Sequence, residues 1–373
     1  MIPIGVYQYS YLPLSETFIY RQLQGLQKRF ELRLFSLMKE NVQLFPGFSP
    51  LLIPNKSLRE RLSGKYKTTT FTPSRKRFIV DVLKNVRLLY VNFGHMALSM
   101  QEMAAEAGIP VVVFFHGVDA SAFLKDKNYV GEYAKANFHT VFTNSENMKE
   151  RLTPYLSPTT SFKVVRYGVD PGMFPFKQRT AVPRGTVFLQ ISRLDFKKGV
   201  GITLDVFARY FREIDSSSRF VIAGDGPLRQ ELEMQAQRLG IAQSVTFLGK
   251  VNQARVLELL QSSDVLLQHS VVAPDGDMEG VPNVLIEAMS CGLPVVSTYH
   301  SGIPELVESG VNGLLVNEKD TDAYFNALVS LSKIDITSLS RHARRTVEEN
   351  FNSAVNNEQL CDYMDKICRS VSA

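Results

Sequence analysis

Residues 279–305 read E-G-V-P-N-V-L-I-E-A-M-S-C-G-L-P-V-V-S-T-Y-H-S-G-I-P-E, with Glu279 and Glu287 in an E-x7-E spacing. Pro282 reads as the first residue of a short helix, where its missing N–H costs nothing, and Gly292 as the residue just past the helix end. Pro294 to Ser297 then reads as a buried strand. A helix N-terminus after a glycine offers the N–H groups of Gly280, Val281 and Asn283 and a positive dipole end, which together suit phosphate. Glu287 lies among Val284, Leu285, Ile286, Ala288 and Met289, and a buried charge in so apolar a helix needs a polar partner. A phosphate cradle with a carboxylate on either side suits a ligand that is anionic in its middle and hydroxyl-rich at both ends, as a sugar nucleotide is. The plain alternative is a capped helix carrying one exposed glutamate.

Further candidates lie in S-R-L-D-F-K-K-G at 192–199. An apolar strand ends at Ser192 and a helix starts near Val200, so Lys197 and Lys198 sit by a helix N-terminus, where a cation opposes the dipole. An anion placed there relieves that conflict. The alternative is a pair of solvated surface cations, Arg193 and Lys198; Lys197 is expected to face solvent. Gly199 and Gly201 form a G-x-G after a strand, but Leu204 occupies the place of the third glycine, so dinucleotide binding is rejected. His116 follows the apolar run Val111–Phe115 and precedes Gly117, which places it at a strand's carboxyl end, where α/β sheets line their ligand sites. A structural histidine is the alternative. Asp119 shares that loop. Gly224 and Gly226 of A-G-D-G-P read as a tight turn.

Short apolar strands alternate with amphipathic helical stretches throughout, which implies a doubly wound α/β architecture. Candidate strands fall at 4–8, 88–92, 111–115, 140–143, 163–166, 187–192, 220–223, 245–248, 265–268 and 294–297. Many are continuous apolar runs, as in parallel strands covered on both faces. A chain of 373 residues fits two domains. The expected division is an N-terminal domain over 1–172, a Pro- and Gly-rich linker over 173–186, a second domain over 187–350 and a C-terminal helical segment over 351–373. Hydrophobic residues at 45% and charged residues at 21% exclude wholesale disorder. No run approaches the ~20 apolar residues of a membrane span. Three cysteines without metal spacing suit a reduced, cytoplasmic protein.

The net charge is +5, unevenly spread. Residues 55–77 hold Lys56, Arg59, Arg61, Lys65, Lys67, Arg75, Lys76 and Arg77 against the single acid Glu60, with Leu58, Leu62, Tyr66 and Phe71 interspersed. Such a segment suits either an anionic membrane surface or a solvated loop. No nucleic-acid motif accompanies it, so nucleic acid is not an expected partner.

The 279–305 segment resembles the E-x7-E region of retaining glycosyltransferases of family 4, which have the GT-B fold. F-H-G-V-D at 115–119, R-Y-G-V-D at 166–170, S-R-L-D-F-K-K-G, A-G-D-G-P-L at 223–228 and F-L-G-K-V at 247–251 agree with it in the family's order. The resemblance implies two Rossmann-like domains facing across a cleft, with the C-terminal helix crossing back to the first. It implies that Arg193 and Lys198 contact a diphosphate, that Glu279 holds the donor sugar, that Glu287 holds ribose and that His116 faces the sugar. Gly249, Lys250 and Val251 would touch the nucleotide base. Asp275-Gly276-Asp277 matches D-x-D, the metal pattern of a different glycosyltransferase fold; here a structural or acceptor-side loop is expected, with no metal and no cofactor.

Two positions depart from the common pattern. The loop after the first strand lacks a Gly-Gly pair and instead resembles the P-x-S-E-T-F-I variant of bacterial exopolysaccharide and surface-polysaccharide transferases, where Ser15 is able simply to cap a helix. Ser301 stands where many members have a glycine. The expected activity is metal-independent, retaining hexosyl transfer from a UDP- or GDP-sugar to a saccharide or lipid-linked oligosaccharide. A sugar-nucleotide epimerase of the same fold and a non-catalytic nucleotide-binding partner are the alternatives.

Overall fold

Apolar runs bounded by Gly, Pro and Asn become strands, and the amphipathic stretches between them become the crossovers that parallel pairing requires. The structure is a computed structural model that describes residues 1–13, 16–55 and 71–371. The chain divides into two units, Met1–Val165 with Ala354–Ala373, and Arg166–Ser353.

The first unit runs β1 (Ile2–Tyr11), α1 (Thr17–Leu26), β2 (Phe30–Lys39), β3 (Leu51–Leu52), α2 (Pro73–Leu83), β4 (Leu89–Asn92), α3 (Gly94–Glu106), β5 (Val111–Phe114), α4 (Lys127–Lys135), β6 (Thr140–Thr143), α5 (Glu146–Leu152) and β7 (Ser161–Val164). The strands form one parallel sheet in the order β3-β2-β1-β4-β5-β6-β7. The order reverses between β1 and β4. The C-terminal helix Ser353–Ser370 is tied to this unit through Arg29, which meets Glu358 at 2.8 Å and Asp362 at 2.6 Å.

The second unit runs β8 (Val187–Ile191), α6 (Val200–Glu213), β9 (Arg219–Ala223), α7 (Arg229–Arg238), β10 (Val245–Gly249), α8 (Gln253–Ser262), β11 (Val265–Gln268), α9 (Asn283–Ser290), β12 (Val295–Thr298), β13 (Leu314–Val316), α10 (Thr321–Ser330) and α11 (Ile336–Asn350). Its parallel sheet has the order β10-β9-β8-β11-β12-β13 and reverses between β8 and β11. One core cluster joins Leu259, Leu285, Ile286, Met289 and Ala343 from α8, α9 and α11. The other joins Leu204, Phe207, Leu232, Tyr324 and Leu328 from α6, α7 and α10. Ligands of such sheets bind outside the strands' carboxyl ends at the reversal.

Three expectations change. Residues 173–186 are part of the second unit: Phe174 is fully buried, and Arg179 donates to the carbonyls of Ser263 (2.7 Å), Leu260 (2.9 Å) and Gln261 (3.2 Å). A guanidinium on the last carbonyls of α8 satisfies acceptors that the helix leaves open and complements its dipole. Strands β2, β3 and β13 had no counterpart among the expected ones. In the basic segment, Arg75 is buried with its Nε on the Pro54 carbonyl at 3.0 Å, and Lys76 pairs with Glu102. Those two cations are therefore committed within the unit; residues 56–70 and Ser15 lie outside the described residues. No helix among the described residues is long and apolar enough to cross a membrane.

Arg179→Ala strips three carbonyls at the α8 end of their donor. It is expected to cost about 2–4 kcal/mol, read as a lowered urea midpoint at unchanged m value.

Candidate functional site

The E-x7-E segment forms as a loop, a helix and a strand. Pro282 is the N-cap (φ −64°, ψ 124°) and Asn283 starts α9, one residue later than the sequence reading. Gly292 takes φ +70° just past the helix, where Gly292, Leu293 and Cys291 donate to Met289, Ala288 and Glu287 carbonyls at 3.0, 2.9 and 3.1 Å. That is a glycine-terminated helix end. In the first turn of α9 the Leu285 N–H reaches the Pro282 carbonyl at 3.1 Å, while helix geometry offers the Asn283 and Val284 N–H groups no carbonyl within the helix. Asn283 and Glu287 are one turn apart, on one helix stripe. Glu287 is 8% exposed, and the Asn283 side-chain oxygen is enclosed without a hydrogen-bond partner.

The loops on either side of the β8/β11 reversal meet through charge. Lys198 Nζ lies 2.7 Å from Glu279 Oε2; Lys197 Nζ lies 3.4 Å from Glu279 Oε1 and 2.8 Å from Asp277 Oδ2. Both lysines are largely covered, so the expectation that Lys197 faces solvent is overturned: the Asp277 and Glu279 carboxylates draw it inward. Burial pushes the Glu279 carboxyl up, but Lys198 and Lys197 outweigh it and bring it from 4.5 to about 2. For Lys197, burial works to lower its pKa, and the Glu279 and Asp277 partners win and raise it. Asp277 is thus spent on an ion pair, and Asp275 accepts the Asp277 N–H at 2.9 Å to close its own turn. Among the described residues no cluster of His, Cys, Asp and Glu is arranged to hold a metal.

Close backbone packing fixes the lysine loop. Lys198 ends a short 3-10 turn, and Gly199 follows with φ +58°; a Cβ there would stand 1.9 Å from the His269 carbonyl oxygen. Ser192 and Leu194 N–H groups donate to the Ala223 and Asp225 carbonyls, both at 3.0 Å. A Cβ on Gly224 would stand 1.8 Å from Ser192 O, and one on Gly226 2.4 Å from Leu194 O. The A-G-D-G glycines are therefore more than turn residues: they let two loops touch main chain to main chain. Gly249 ends β10 and accepts from the Gly224 N–H at 2.8 Å; Lys250 is exposed and Val251 half-buried. Arg193 stands apart from the cluster, with its side chain 71% exposed and Asp195 at 3.6 Å.

His116 belongs to the first unit, just beyond β5. It is 4% exposed, stacks on Phe114 (centroids 5.2 Å apart) and places Nε2 3.0 Å from Asn92 Oδ1. Burial, with His95 nearby, pulls its pKa down to about 3, so the imidazole is neutral. The buried Asp119 carboxylate accepts the His116 N–H at 3.3 Å and meets His95 Nδ1 at 2.8 Å. His95 also borders a pocket of about 400 Å3 with Tyr7, Tyr9, Leu37, Phe71, Met96 and Ser99. Tyr7 and Tyr9 share one face of β1, and the β1–β2 register sets Leu37 of β2 beside Tyr9.

The profile of the family described as Glycosyl transferases group 1 matches residues 175–350, the stretch that carries these loops. The amylovoran biosynthesis glycosyltransferase AmsK of Erwinia amylovora is 31% identical over 306 residues, covering 79% of this chain and 72% of that protein. The chain belongs to the group 1 glycosyl transferases. The N-acetyl-alpha-D-glucosaminyl L-malate synthase of Bacillus anthracis is 26% identical over 320 residues, covering 80% of this glycosyltransferase and 81% of its own length. In fold, the glycosyltransferase matches the solved structure of Anabaena Alr3699/HepE in complex with UDP and glucose, at a TM-score of 0.78 and 19% identity, over 98% of this chain and 100% of that one. The fold is GT-B, built of two doubly wound units.

Sequence reasoning missed the Lys197–Asp277 pair and the contact of His300 with the Glu279 amide. A signal was present for the first: two adjacent lysines at a helix N-terminus need carboxylates, and the D-x-D loop supplies one. His300 lies just beyond β12, at the same sheet end as the other loops.

The depressed Glu279 value has a pH consequence. The folded pKa lies below the ordinary one, so its stabilisation is present in full above pH 4.5 and lost as pH falls toward 2. The stability difference between the protein and Glu279→Gln is expected to be flat from pH 7 to 5 and to shift by about 3 kcal/mol by pH 2, in urea unfolding across pH.

Proposed function

We propose that this glycosyltransferase moves a hexosyl group from a nucleoside-diphosphate sugar to a saccharide acceptor, with retention and without a metal ion or other cofactor. The observation that carries the reading is Lys198 held 2.7 Å from Glu279 beside the N-terminus of α9. In this reading the N–H groups of Gly280, Val281 and Asn283 hold the diphosphate together with Lys198 and Arg193. An ammonium group has three donors, so Lys198 keeps Glu279 and still reaches a phosphate oxygen. Arg193, exposed to solvent, reaches the same anion. Glu279 takes hydroxyls of the donor sugar, Glu287 the ribose hydroxyls, and Gly249, Lys250 and Val251 border the base. The enclosed Asn283 oxygen calls for a ligand hydroxyl as donor.

The anomeric C–O bond breaks with its electron pair leaving on the diphosphate. Lys198 and the α9 dipole stabilise that charge as it develops. The acceptor oxygen bonds the anomeric carbon on the same face, and its proton passes to the departing phosphate oxygen. His116 contributes as a neutral imidazole. The pocket of Tyr7, Tyr9 and His95 receives a sugar ring of the acceptor, a lipid-linked oligosaccharide in polysaccharide biosynthesis. The names of AmsK and of the UDP- and glucose-bound HepE support the polysaccharide and UDP parts of this reading. A cytoplasmic enzyme whose basic segment, residues 55–77, meets an anionic membrane surface completes it.

The test is nucleotide release from a panel of UDP- and GDP-sugars, with a lipid-linked oligosaccharide present, with and without EDTA. Release from one donor, unchanged by EDTA and reduced at least about 10²-fold in Lys198→Ala and in Glu287→Ala, is expected. Full activity in both variants would sink the site assignment. Inverted anomeric configuration in the product, read by NMR, would sink the stereochemical one.

A further inference from the structure

Glu279 is fixed at two points: its carboxylate by the lysines, and its main chain by a histidine that the lysine cluster does not explain. The Glu279 N–H donates to His300 Nε2 at 3.1 Å. A ring nitrogen that accepts carries no proton, so the neutral imidazole must hold its proton on Nδ1. Nδ1 lies 2.6 Å from Glu318 Oε1. The other oxygen of Glu318 accepts the Val272 N–H at 2.9 Å. His300 is 1% exposed. These bonds join three loops at the carboxyl ends of β11, β12 and β13. A second histidine braces the same corner: His269 Nε2 accepts the Lys319 N–H at 3.0 Å, and its ring stacks on Tyr324 at 4.6 Å. The residue after His300 is Ser301 at φ +48°, a left-handed conformation that glycine adopts freely and serine at a cost. The chain bears that conformation next to the one ring whose tautomer sets the Glu279 amide.

We propose that His300, locked in its Nδ1–H form by Glu318, is a positioning residue that places Glu279 for the donor sugar. The proposal deepens, and rests on, the reading of Glu279 as the sugar-binding carboxylate. His300 itself touches no substrate; it acts through the Glu279 main chain, and Glu318 acts through His300. Because the nucleotide is held elsewhere in the loop and on α9, the pair governs sugar turnover and leaves nucleotide affinity alone.

The first arm of the test needs no substrate. In histidine-15N-labelled protein, NMR is expected to show His300 as the Nδ1–H tautomer, assigned by its loss in His300→Gln; an Nε2–H tautomer overturns the proposal. Exchange of the Glu279 amide is expected to quicken at least tenfold in His300→Ala and to return toward wild type in His300→Gln, whose carbonyl oxygen occupies the Nε2 side. Equal exchange in all three overturns it. The second arm uses UDP and the donor sugar that turns over. His300→Ala is expected to lower donor turnover about 10²-fold, the scale of an ångström of misplacement, with His300→Gln within tenfold of wild type and Glu318→Gln between them. UDP affinity stays within twofold in every variant. A parallel loss of UDP affinity means a merely structural role and overturns the proposal, as does wild-type turnover in His300→Ala. Lys198→Ala, run alongside, separates the two levels: its full activity would remove the site reading, whatever His300 does.

Discussion

A largely buried carboxylate between two ammonium groups governs the geometry of the loops that follow β8 and β11. Burial alone would drive Glu279 toward its neutral form, and only the lysines keep it charged. The converse holds for Lys197, which stays a cation against burial because Glu279 and Asp277 lie beside it. Removing either side leaves an uncompensated charge in a covered site, a far larger penalty than the net worth of the pair. The lysines follow β8 and the carboxylates follow β11, so the ion pairs clasp the two loops at the point where the strand order reverses. A cation at the N-terminus of α6 opposes that helix's dipole, and the chain's own carboxylates remove the conflict.

The clasp works because the backbone beneath it has no slack. Gly199, Gly224 and Gly226 stand where any side chain would run into a neighbouring carbonyl, so the 192–199 loop has a single seat. His300, itself held by Glu318, binds the Glu279 main chain. Charge selects the contact, glycine permits the approach, and the histidine fixes the remaining degree of freedom. Preorganisation of this kind is what an enzyme needs when charge develops on a leaving group, since nothing must reorient during the reaction. Short-range constraints thus tie together five loops at the carboxyl ends of one sheet.

Much of this was legible in the residues. Strand–helix alternation and continuous apolar runs gave the two parallel sheets, and Gly292 marked the helix end because only glycine is at ease at φ +70°. β2 was missed because F-E-L-R-L-F-S-L-M-K interleaves charges with its apolar residues, and β13 because three residues make no pattern. Residues 173–186 read as a linker from their Pro and Gly content, yet the decisive fact is tertiary: Arg179 finds the carbonyls at the end of α8, some eighty residues along the chain. Lys197 could not be placed from sequence, since a lysine faces water unless a partner outbids it, and its partners lie on another loop. The candidates Lys198, Glu279, Glu287 and Asn283 were singled out by position, spacing and resemblance; the Lys198–Glu279 distance required the fold.

The central claim is that the Lys198–Glu279 pair and the α9 N-terminus form the donor site. A crystal structure of the protein with UDP tests it most directly. The account requires phosphate oxygens within hydrogen-bond distance of Lys198 Nζ and of the Gly280 or Val281 N–H, with ribose hydroxyls on Glu287. UDP bound away from α9, or seated there with Glu287 facing no hydroxyl, would contradict it.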